Sequence, residues 1–332
     1  MQEDLEIFLS QYRLECFKRT KIEGDASLKE FERIETPNKN IILCKLPIQH
    51  DIESKIKKIT SITKFLSELC LKPPEIYATD IKNGYILMED FGNSSYLEYL
   101  NQNKNIELSV YKNAVDVLLK IHNNINDNDM PVKTKYTKKT MLLEVNKFID
   151  YYAPCFKKIT LIEKNLFHEI WDRILNSLFS MPCKQVLVLR DYHSPNIFHL
   201  PKMHGLKKTG IIDFDDALNG MPTYDVVSLL QDARYDMSMY HANALKDYYI
   251  KKSNWINNDD IRIFNKSYHT IGLQRSCKIL GFIMYMKHCK KNNNYMKLIP
   301  LAKKYIYINI SKLEKMHEIK NWLLKTGVME WM

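Results

Sequence analysis

The sequence predicts an α+β fold of two lobes, a small N-terminal lobe built on an antiparallel sheet and a larger, mainly helical C-terminal lobe. Three observations predict it. Short runs of strand length, separated by turn residues, gather in residues 1–92. Amphipathic patterns of helical period dominate residues 93–332. The chain of 332 residues, 45% of them hydrophobic, is long enough to bury two cores. We therefore expect the lobe boundary after Gly92.

Composition argues against several classes of protein. No apolar run approaches the roughly 20 residues that a transmembrane helix needs, and the acidic, amphipathic N-terminus is unlike a secretory signal. The seven cysteines lack Cys-x-x-Cys spacing, so neither a disulfide framework nor a zinc site is predicted. Lysines spread along the whole chain produce the net charge of +10, which makes it weak evidence for a nucleic-acid partner. We predict a cytoplasmic protein with no membrane or nucleic-acid partner, and its oligomeric state stays open.

The N-terminal lobe alternates helical patterns with strand-like runs. Amphipathic helices are predicted at residues 3–17 and 51–70, where apolar residues recur at helical spacing. Five strand-like runs are rich in apolar and β-branched residues: 18–22, 31–34, 41–45, 76–78 and 85–89. The last run ends at Asp90-Phe91-Gly92, a strand followed by a glycine, which suits a hinge between lobes.

The C-terminal lobe is helical except at its centre. Helical patterns cover residues 95–101, 110–123, 141–152, 161–179, 222–235, 261–288 and 298–324. Two apolar runs of strand type lie at residues 185–189 and 210–214, and the stretch between them is polar and rich in turn residues. The centre therefore reads as strand, loop, strand and turn.

Asp191, Asn196 and Asp213 accompany these two runs, and their spacing points to phosphoryl transfer. Asn196 follows Asp191 by five residues, and Asp213 follows Asn196 by 17. In protein kinases one Asp accepts the proton of the substrate hydroxyl, an Asn binds one metal ion and a second Asp binds the Mg²⁺ that bridges the phosphates. The pattern predicts a protein-kinase-like fold that uses ATP and Mg²⁺, with Asp191 as catalytic base and Asn196 and Asp213 as metal ligands.

Each half of this pattern alone has a simpler explanation. Asp and Asn favour turns, and an Asp often just ends a strand. The two halves in this order, each beside its own apolar run, favour the metal site. Asp215 and Asp216 are expected to be solvated, although one of them could help to hold a second metal. His193 is equally compatible with substrate contact and with packing inside its loop.

The motifs resemble those of a known family. Residues 190–196 and 210–217, with the flanking segments 24–33, 85–92 and 272–281, resemble the aminoglycoside-phosphotransferase-like kinases. Within them the chain is similar to the group that includes the anomeric N-acetylmuramate/N-acetylglucosamine kinases of bacterial cell-wall recycling. The resemblance covers nearly the whole chain, and its motifs are more specific to fold and chemistry than to substrate.

The resemblance implies nucleotide-binding residues in the N-terminal lobe. The hairpin tip with Ser27 resembles a phosphate-covering hairpin, so Ser27 is a candidate phosphate ligand. Lys45 ends the third strand, from which kinases present a lysine to the α- and β-phosphates, although relatives often have an acidic residue near this position. Glu53 could pair with Lys45 or stay solvated. Backbone groups near Glu89 and Phe91 are candidates to hydrogen-bond adenine.

Two further roles follow for residues of the C-terminal lobe. The resemblance implies that Asp225 braces the loop that carries Asp191 and takes no part in the chemistry. Asp232 and Arg234 are candidates to face the acceptor pocket.

The resemblance also implies an acceptor, an amino sugar phosphorylated at its anomeric hydroxyl. No Ala-Pro-Glu follows Asp213, which favours a small-molecule acceptor over a protein. One alternative is a kinase of another small alcohol, such as an aminoglycoside or choline, but the isolated pairs 215–216 and 259–260 do not establish the acidic pocket that an aminoglycoside needs. A second alternative is a catalytically weak, nucleotide-binding regulatory protein. Analogy of fold does not decide among them.

Overall fold

The structure, a computed structural model, describes residues 2–22, 28–48, 51–125, 130–314 and 316–328. The chain divides into a first unit, residues 1–124 with 195–217, and a second unit, residues 125–194 with 218–332. The predicted N-terminal antiparallel sheet and mainly helical remainder are confirmed. Each unit is formed by two separate segments of the chain. The predicted lobe boundary after Gly92 stays a prediction.

A five-stranded antiparallel sheet organises the first unit. Its strand order is β1-β2-β3-β5-β4, with β1 Lys18–Ile22, β2 Glu30–Glu35, β3 Asn40–Lys45, β4 Ile76–Asp80 and β5 Tyr85–Glu89. The strand-like runs of the sequence coincide with these five strands, because short runs of strand type between turn residues are a strong local signal. The register places Glu30 opposite Lys45 and Phe31 opposite Cys44.

The two faces of this sheet are covered by different helices. Helix α1, Gln2–Ser10, packs through Phe8 on a cluster that contains Leu43. Helix α2, Ile52–Glu68, packs through Ile56 on a cluster that contains Cys44. The helix predicted for residues 3–17 ends early, because Arg13 has a left-handed φ of 57° that a helix cannot continue through.

A two-stranded hairpin completes the first unit. Strands β7, Ile197–His199, and β8, Thr209–Ile211, pair antiparallel. The Ile211 N–H donates to the Lys72 carbonyl at 3.0 Å, and the His199 N–H donates to the Ser94 carbonyl at 2.8 Å. These bonds fix the hairpin to the segments before β4 and before α3. Helices α3, Tyr96–Gln102, and α4, Glu107–Asn123, belong to the same unit.

The second unit is built around a helix of 30 residues, α9, Asp260–Cys289. The others are α5 Lys138–Lys147, α6 Leu161–Phe179, α7 Thr223–Leu230, α8 Met239–Lys252, α10 Ile299–Ser311 and α11 His317–Lys325. Helices α5, α7 and α10 pack on α9, as does the π-helical segment Phe148–Tyr152. No helix among the described residues is long and apolar enough to cross a membrane.

One prediction for this unit needs correction. The helical pattern of residues 298–324 is two helices, since the polar residues that follow Ser311 interrupt the apolar stripe.

Both central apolar runs contain short strands, as predicted. Strand β6, Val186–Val188, lies in the second unit and pairs with a strand that the sequence did not reveal, β9, Leu218–Gly220. The other run contains β8 of the first unit, which pairs with β7.

Gly281 in α9 permits a close approach of two helical segments. A Cβ atom at this position would lie 2.4 Å from the backbone carbon of Lys147 and 2.4 Å from the backbone nitrogen of Phe148. Backbone atoms cannot move aside as the end of a side chain can, so any larger residue must separate α9 from α5 and the π-helical segment.

We expect Gly281→Ala to lower the free energy of unfolding by about 1–3 kcal/mol through overpacking, although Ala favours a helix over Gly by about 1 kcal/mol. Urea unfolding measures the change. The control is Arg262→Ala on the same helix, where the side chain is 89% exposed and where a change within about 0.5 kcal/mol is expected. Equal stability of Gly281→Ala and wild type would contradict the packing described above.

Candidate active site

A buried carboxylate holds the loop that carries Asp191. Asp225, in the first turn of α7, is fully buried and accepts the Leu189 N–H at 2.6 Å and the Arg190 N–H at 2.9 Å. Arg190 has a left-handed φ of 71°, which is sparsely populated for a residue with a side chain. Burial raises the pKa of Asp225 to about 7, against the two N–H donors that favour its charged form. Asp225 thus has the bracing position that the resemblance implied.

A second buried carboxylate, Asp232, fixes the far end of the same loop. It is 3% exposed and accepts both the Ser194 N–H, at 3.0 Å, and the Ser194 hydroxyl, at 2.5 Å. Its other oxygen accepts the Arg234 N–H at 3.0 Å. The carboxylate is buried and both of its oxygens accept hydrogen bonds within the chain. The expectation that Asp232 faces an acceptor pocket was therefore wrong. His193 is also buried, and burial lowers its pKa to about 3, so it is a neutral side chain packed in the loop.

The Asp191 carboxylate is half-buried among cationic side chains. Burial alone would raise its pKa, but the charges of Lys278, Arg275 and Arg190 outweigh that effect and contribute to a pKa of about 2. The carboxylate is therefore ionised throughout the physiological range of pH. A group of such low basicity is suited to orient a hydroxyl that loses its proton late in the reaction.

Two residues that the sequence did not single out, Glu144 on α5 and Tyr224 on α7, hold these cations in place. Glu144 Oε1 lies 2.6 Å from an Arg190 nitrogen and 3.1 Å from Lys278 Nζ. The Tyr224 hydroxyl accepts from Arg275 at 3.1 Å and from Lys278 at 3.2 Å. Burial would raise the pKa of Tyr224, but the Lys278 and Arg275 charges lower it. Two cations three residues apart on α9, Arg275 and Lys278, were the available signal.

Asn196 and Asp213, the two predicted metal ligands, lie together at the open end of the β7–β8 hairpin. The Ile212 N–H donates to the Asn196 carbonyl at 3.0 Å, and Asn196 Nδ2 lies 3.3 Å from Asp213 Oδ2. Asp213 has a left-handed φ of 58°, a conformation that Asp adopts more readily than most residues with a side chain.

The donor set at this hairpin fits Mg²⁺. Amide and carboxylate oxygens are hard ligands, and Mg²⁺ is commonly held by one or two carboxylates together with water and substrate phosphates. Among the described residues no group of three or more His, Cys, Asp or Glu side chains could hold a metal ion alone. A site completed by phosphate oxygens would need only Asn196 and Asp213 from the protein.

Lys29, just before β2, bridges two carboxylates of this region. Its Nζ lies 2.6 Å from Asp213 Oδ1 and 2.7 Å from Asp215 Oδ1, and its side chain is 14% exposed. Burial works against its charge, but the two carboxylates raise the pKa of Lys29 well above its ordinary value. Asp215 is thus an ion-paired, partly buried residue, and the expectation that it is solvated was wrong. Asp216 is exposed.

Of the two residues predicted to bind the phosphates of a nucleotide, Ser27 and Lys45, the structure describes Lys45. Ser27 lies outside the described residues. The Lys45 ammonium pairs with the carboxylate of Glu32 on β2. Glu53 is exposed and pairs with Lys57 one helical turn away, which confirms the interpretation of a solvated side chain.

The predicted adenine segment after β5 is fixed by side chains of the first unit. Glu89 Oε2 accepts from Lys72 Nζ at 2.5 Å and from the Glu75 N–H at 3.0 Å. The Glu89 N–H already donates to the Glu75 carbonyl at 2.8 Å. The Phe91 ring lies over Gly210 of β8, where a Cβ atom would approach it to 2.8 Å. The segment is therefore packed directly on the hairpin that carries Asn196 and Asp213.

Comparison with known proteins adds independent information. The sequence model of the phosphotransferase enzyme family matches residues 18–250. An N-acetylmuramate/N-acetylglucosamine kinase of Pseudomonas aeruginosa is 25% identical over 302 residues, which cover 89% of this chain and 85% of that protein. A kinase of the same name from Caulobacter vibrioides is 23% identical, with coverage of 95% and 93%.

Solved structures agree on the fold. An aminoglycoside phosphotransferase with bound ADP superposes with a TM-score of 0.62 at 14% identity, covering 94% of this chain and 99% of that one. A choline kinase of Streptococcus pneumoniae has a TM-score of 0.62 at 13% identity, with coverage of 93% and 99%. At these identities the likeness shows the fold alone, and the prediction of a protein-kinase-like fold is confirmed.

We expect Asp225→Ala to release the loop from residue 189 to 194, because two backbone N–H groups lose a charged acceptor. The free energy of unfolding should fall by about 2–4 kcal/mol, and the amides of Leu189 and Arg190 should exchange hydrogen faster. Hydrogen exchange read by mass spectrometry measures the second effect. The matched control is Asp216→Ala at an exposed carboxylate, and exchange of residues 189–194 that is the same in both variants would contradict the bracing role.

Proposed function

We propose, from the premise that the chain belongs to the phosphotransferase enzyme family, that it transfers the γ-phosphoryl group of ATP to the anomeric hydroxyl of an acetylated amino sugar. Membership of the family makes the chain a small-molecule phosphotransferase. The proposal adds the phosphoryl donor, the metal ion and the acceptor. The observation that carries it is the ionised Asp191 on a loop that two buried carboxylates hold.

The donor and its metal ion are assigned to the first unit. Structures with this fold, an aminoglycoside phosphotransferase and a spectinomycin phosphotransferase, contain ADP. We assign Asn196 and Asp213 as ligands of Mg²⁺, which would offset the negative charge of the phosphates when bound. Backbone groups near Glu89 and Phe91 are proposed to contact adenine, and Ser27 is proposed to contact phosphate.

The chemical step is assigned to Asp191. Its carboxylate accepts a hydrogen bond from the acceptor hydroxyl and so orients the oxygen for attack on the γ-phosphorus. The new oxygen–phosphorus bond forms as the bond to the β-phosphate oxygen breaks, and ADP leaves with that electron pair. The hydroxyl proton passes to the Asp191 carboxylate and then to solvent. The low pKa of Asp191 agrees with a proton that moves late.

The names of the relatives support an amino sugar as acceptor. The relatives in Pseudomonas aeruginosa and Caulobacter vibrioides, matched over most of their length, are named as N-acetylmuramate/N-acetylglucosamine kinases. The cytoplasmic location stays a prediction.

We expect ATP consumption in the presence of Mg²⁺ with N-acetylmuramate and N-acetylglucosamine, and little with choline or kanamycin. Asp191→Asn should lower kcat by roughly 10²–10⁴-fold, the usual contribution of a positioned acid or base. The control is Glu169→Gln, which removes an exposed acid of α6 and should retain wild-type turnover.

The possible outcomes separate the alternatives. Turnover with choline or kanamycin alone would keep the phosphotransferase and reject the amino sugar. Nucleotide binding without turnover of any acceptor would favour the regulatory alternative. Wild-type turnover by Asp191→Asn would contradict the catalytic assignment.

A further inference from the structure

Two lysines lie at the same end of neighbouring strands but leave the sheet on opposite faces. Glu30 of β2 is directly opposite Lys45 of β3, and Lys29 immediately precedes Glu30. Successive residues of a strand point to opposite faces. The same alternation, continued to Lys29 just before the strand, directs its side chain to the face opposite that of Glu30 and Lys45.

Lys45 belongs to the face that α1 covers. It alternates in step with Ile41 and Leu43, which are buried in the cluster that includes residues of α1. Its ammonium pairs with Glu32, whose other carboxylate oxygen lies 3.9 Å from Arg19 Nε. Lys45 and Arg19 together neutralise a carboxylate of this face.

Lys29 belongs to the other face. It alternates in step with Phe31, which packs on the cluster that includes residues of α2, and its Nζ lies 5.9 Å from the Phe31 ring centre. From there it reaches Asp213 and Asp215 at 2.6 and 2.7 Å.

The β3 residue on the face of Lys29 is Cys44, the residue before Lys45. It is 3% exposed, and a thiol supplies no cation whether it is protonated or not. In the register of the sheet Cys44 lies directly opposite Phe31, the residue with which Lys29 alternates, and both pack in the cluster that includes residues of α2. The β3 residue on the face of Lys29 therefore offers no positive charge to a phosphate.

We propose that Lys29, the residue immediately before β2, is the lysine that contacts the nucleotide phosphates, and that Lys45 is a structural ion-pair partner on the opposite face. The inference rests on the proposed function, since it requires ATP as the donor. It assigns to Lys29 the role that the sequence suggested for Lys45.

The charges around Lys29 suit this role. A lysine is a compact point charge that binds phosphate without a fixed geometry. Lys29 already lies 2.6 Å from Asp213, the carboxylate assigned to the metal ion on the phosphates.

The test compares binding of ATP with binding of adenosine, which lacks the phosphates, by calorimetry at saturating Mg²⁺. The dissociation constant of adenosine divided by that of ATP measures what the phosphates contribute to binding. We expect Lys29→Met to lower this ratio at least roughly tenfold, as for a lost charge-assisted contact. Lys45→Met is the matched control on the opposite face of the sheet, and it should leave the ratio within about twofold of the wild-type value. Thermal unfolding verifies that both variants are folded.

A charge-matched double variant separates contact from net charge. Lys29→Met removes a positive charge, and Lys29→Met combined with Asp215→Asn also removes a negative one, which restores the local net charge of the wild type. If Lys29 contacts the phosphates, the double variant keeps the lowered ratio. A ratio restored to the wild-type value would overturn the proposal, because Lys29 would then act only by neutralising carboxylates.

The remaining outcomes distinguish this proposal from the proposed function. A lowered ratio in Lys45→Met with an unchanged ratio in Lys29→Met would overturn the assignment of the lysine and leave the phosphotransferase intact. A wild-type protein that binds adenosine as tightly as ATP would overturn the choice of donor, and with it this proposal.

Discussion

The buried carboxylate of Asp225 is the interaction on which the catalytic half of the second unit depends. Two backbone N–H groups converge on it from a turn that includes a left-handed arginine, and that turn presents Asp191. In a low-dielectric interior such charge-assisted bonds are strong, and an unpaired carboxylate would be costly. Asp232 holds the other end of the loop in the same way, by accepting the Ser194 N–H. Neither carboxylate needs to touch a substrate to control where Asp191 points.

In the first unit the corresponding constraint is the two-residue alternation of the sheet. It directs Lys29 to Asp213 and directs Lys45 to Glu32, although the two lysines are close neighbours along the strand ends. The hairpin that carries Asn196 and Asp213 is in turn packed against Phe91 through Gly210. The predicted adenine segment, the predicted metal ligands and the bridging lysine are thereby parts of one packed arrangement within this unit.

Local periodicity explains what the sequence could predict. The strands β3 and β5 follow short apolar runs and helix α6 follows the helical spacing of its apolar residues, and Asp191, Asn196 and Asp213 were recognisable from their order and spacing. The pairing of β6 with β9 was not, because it joins residues about 30 positions apart that carry no shared local signal. The role of Lys29 was also hidden. Alternation predicts that Lys45 and Cys44 point to opposite faces of the sheet. Only the packing of α1 and α2 shows which of the two faces each side chain lies on.

The central claim is that an ionised Asp191 directs a phosphoryl group to the anomeric oxygen of an acetylated amino sugar. The position of the phosphate in the product tests this claim most directly. The wild-type protein would be incubated with ATP, Mg²⁺ and N-acetylglucosamine, and the product examined by phosphorus–proton NMR. We predict a single phosphosugar whose phosphorus couples to the anomeric proton. Coupling to protons of any other carbon, or the absence of a phosphosugar, would contradict the account.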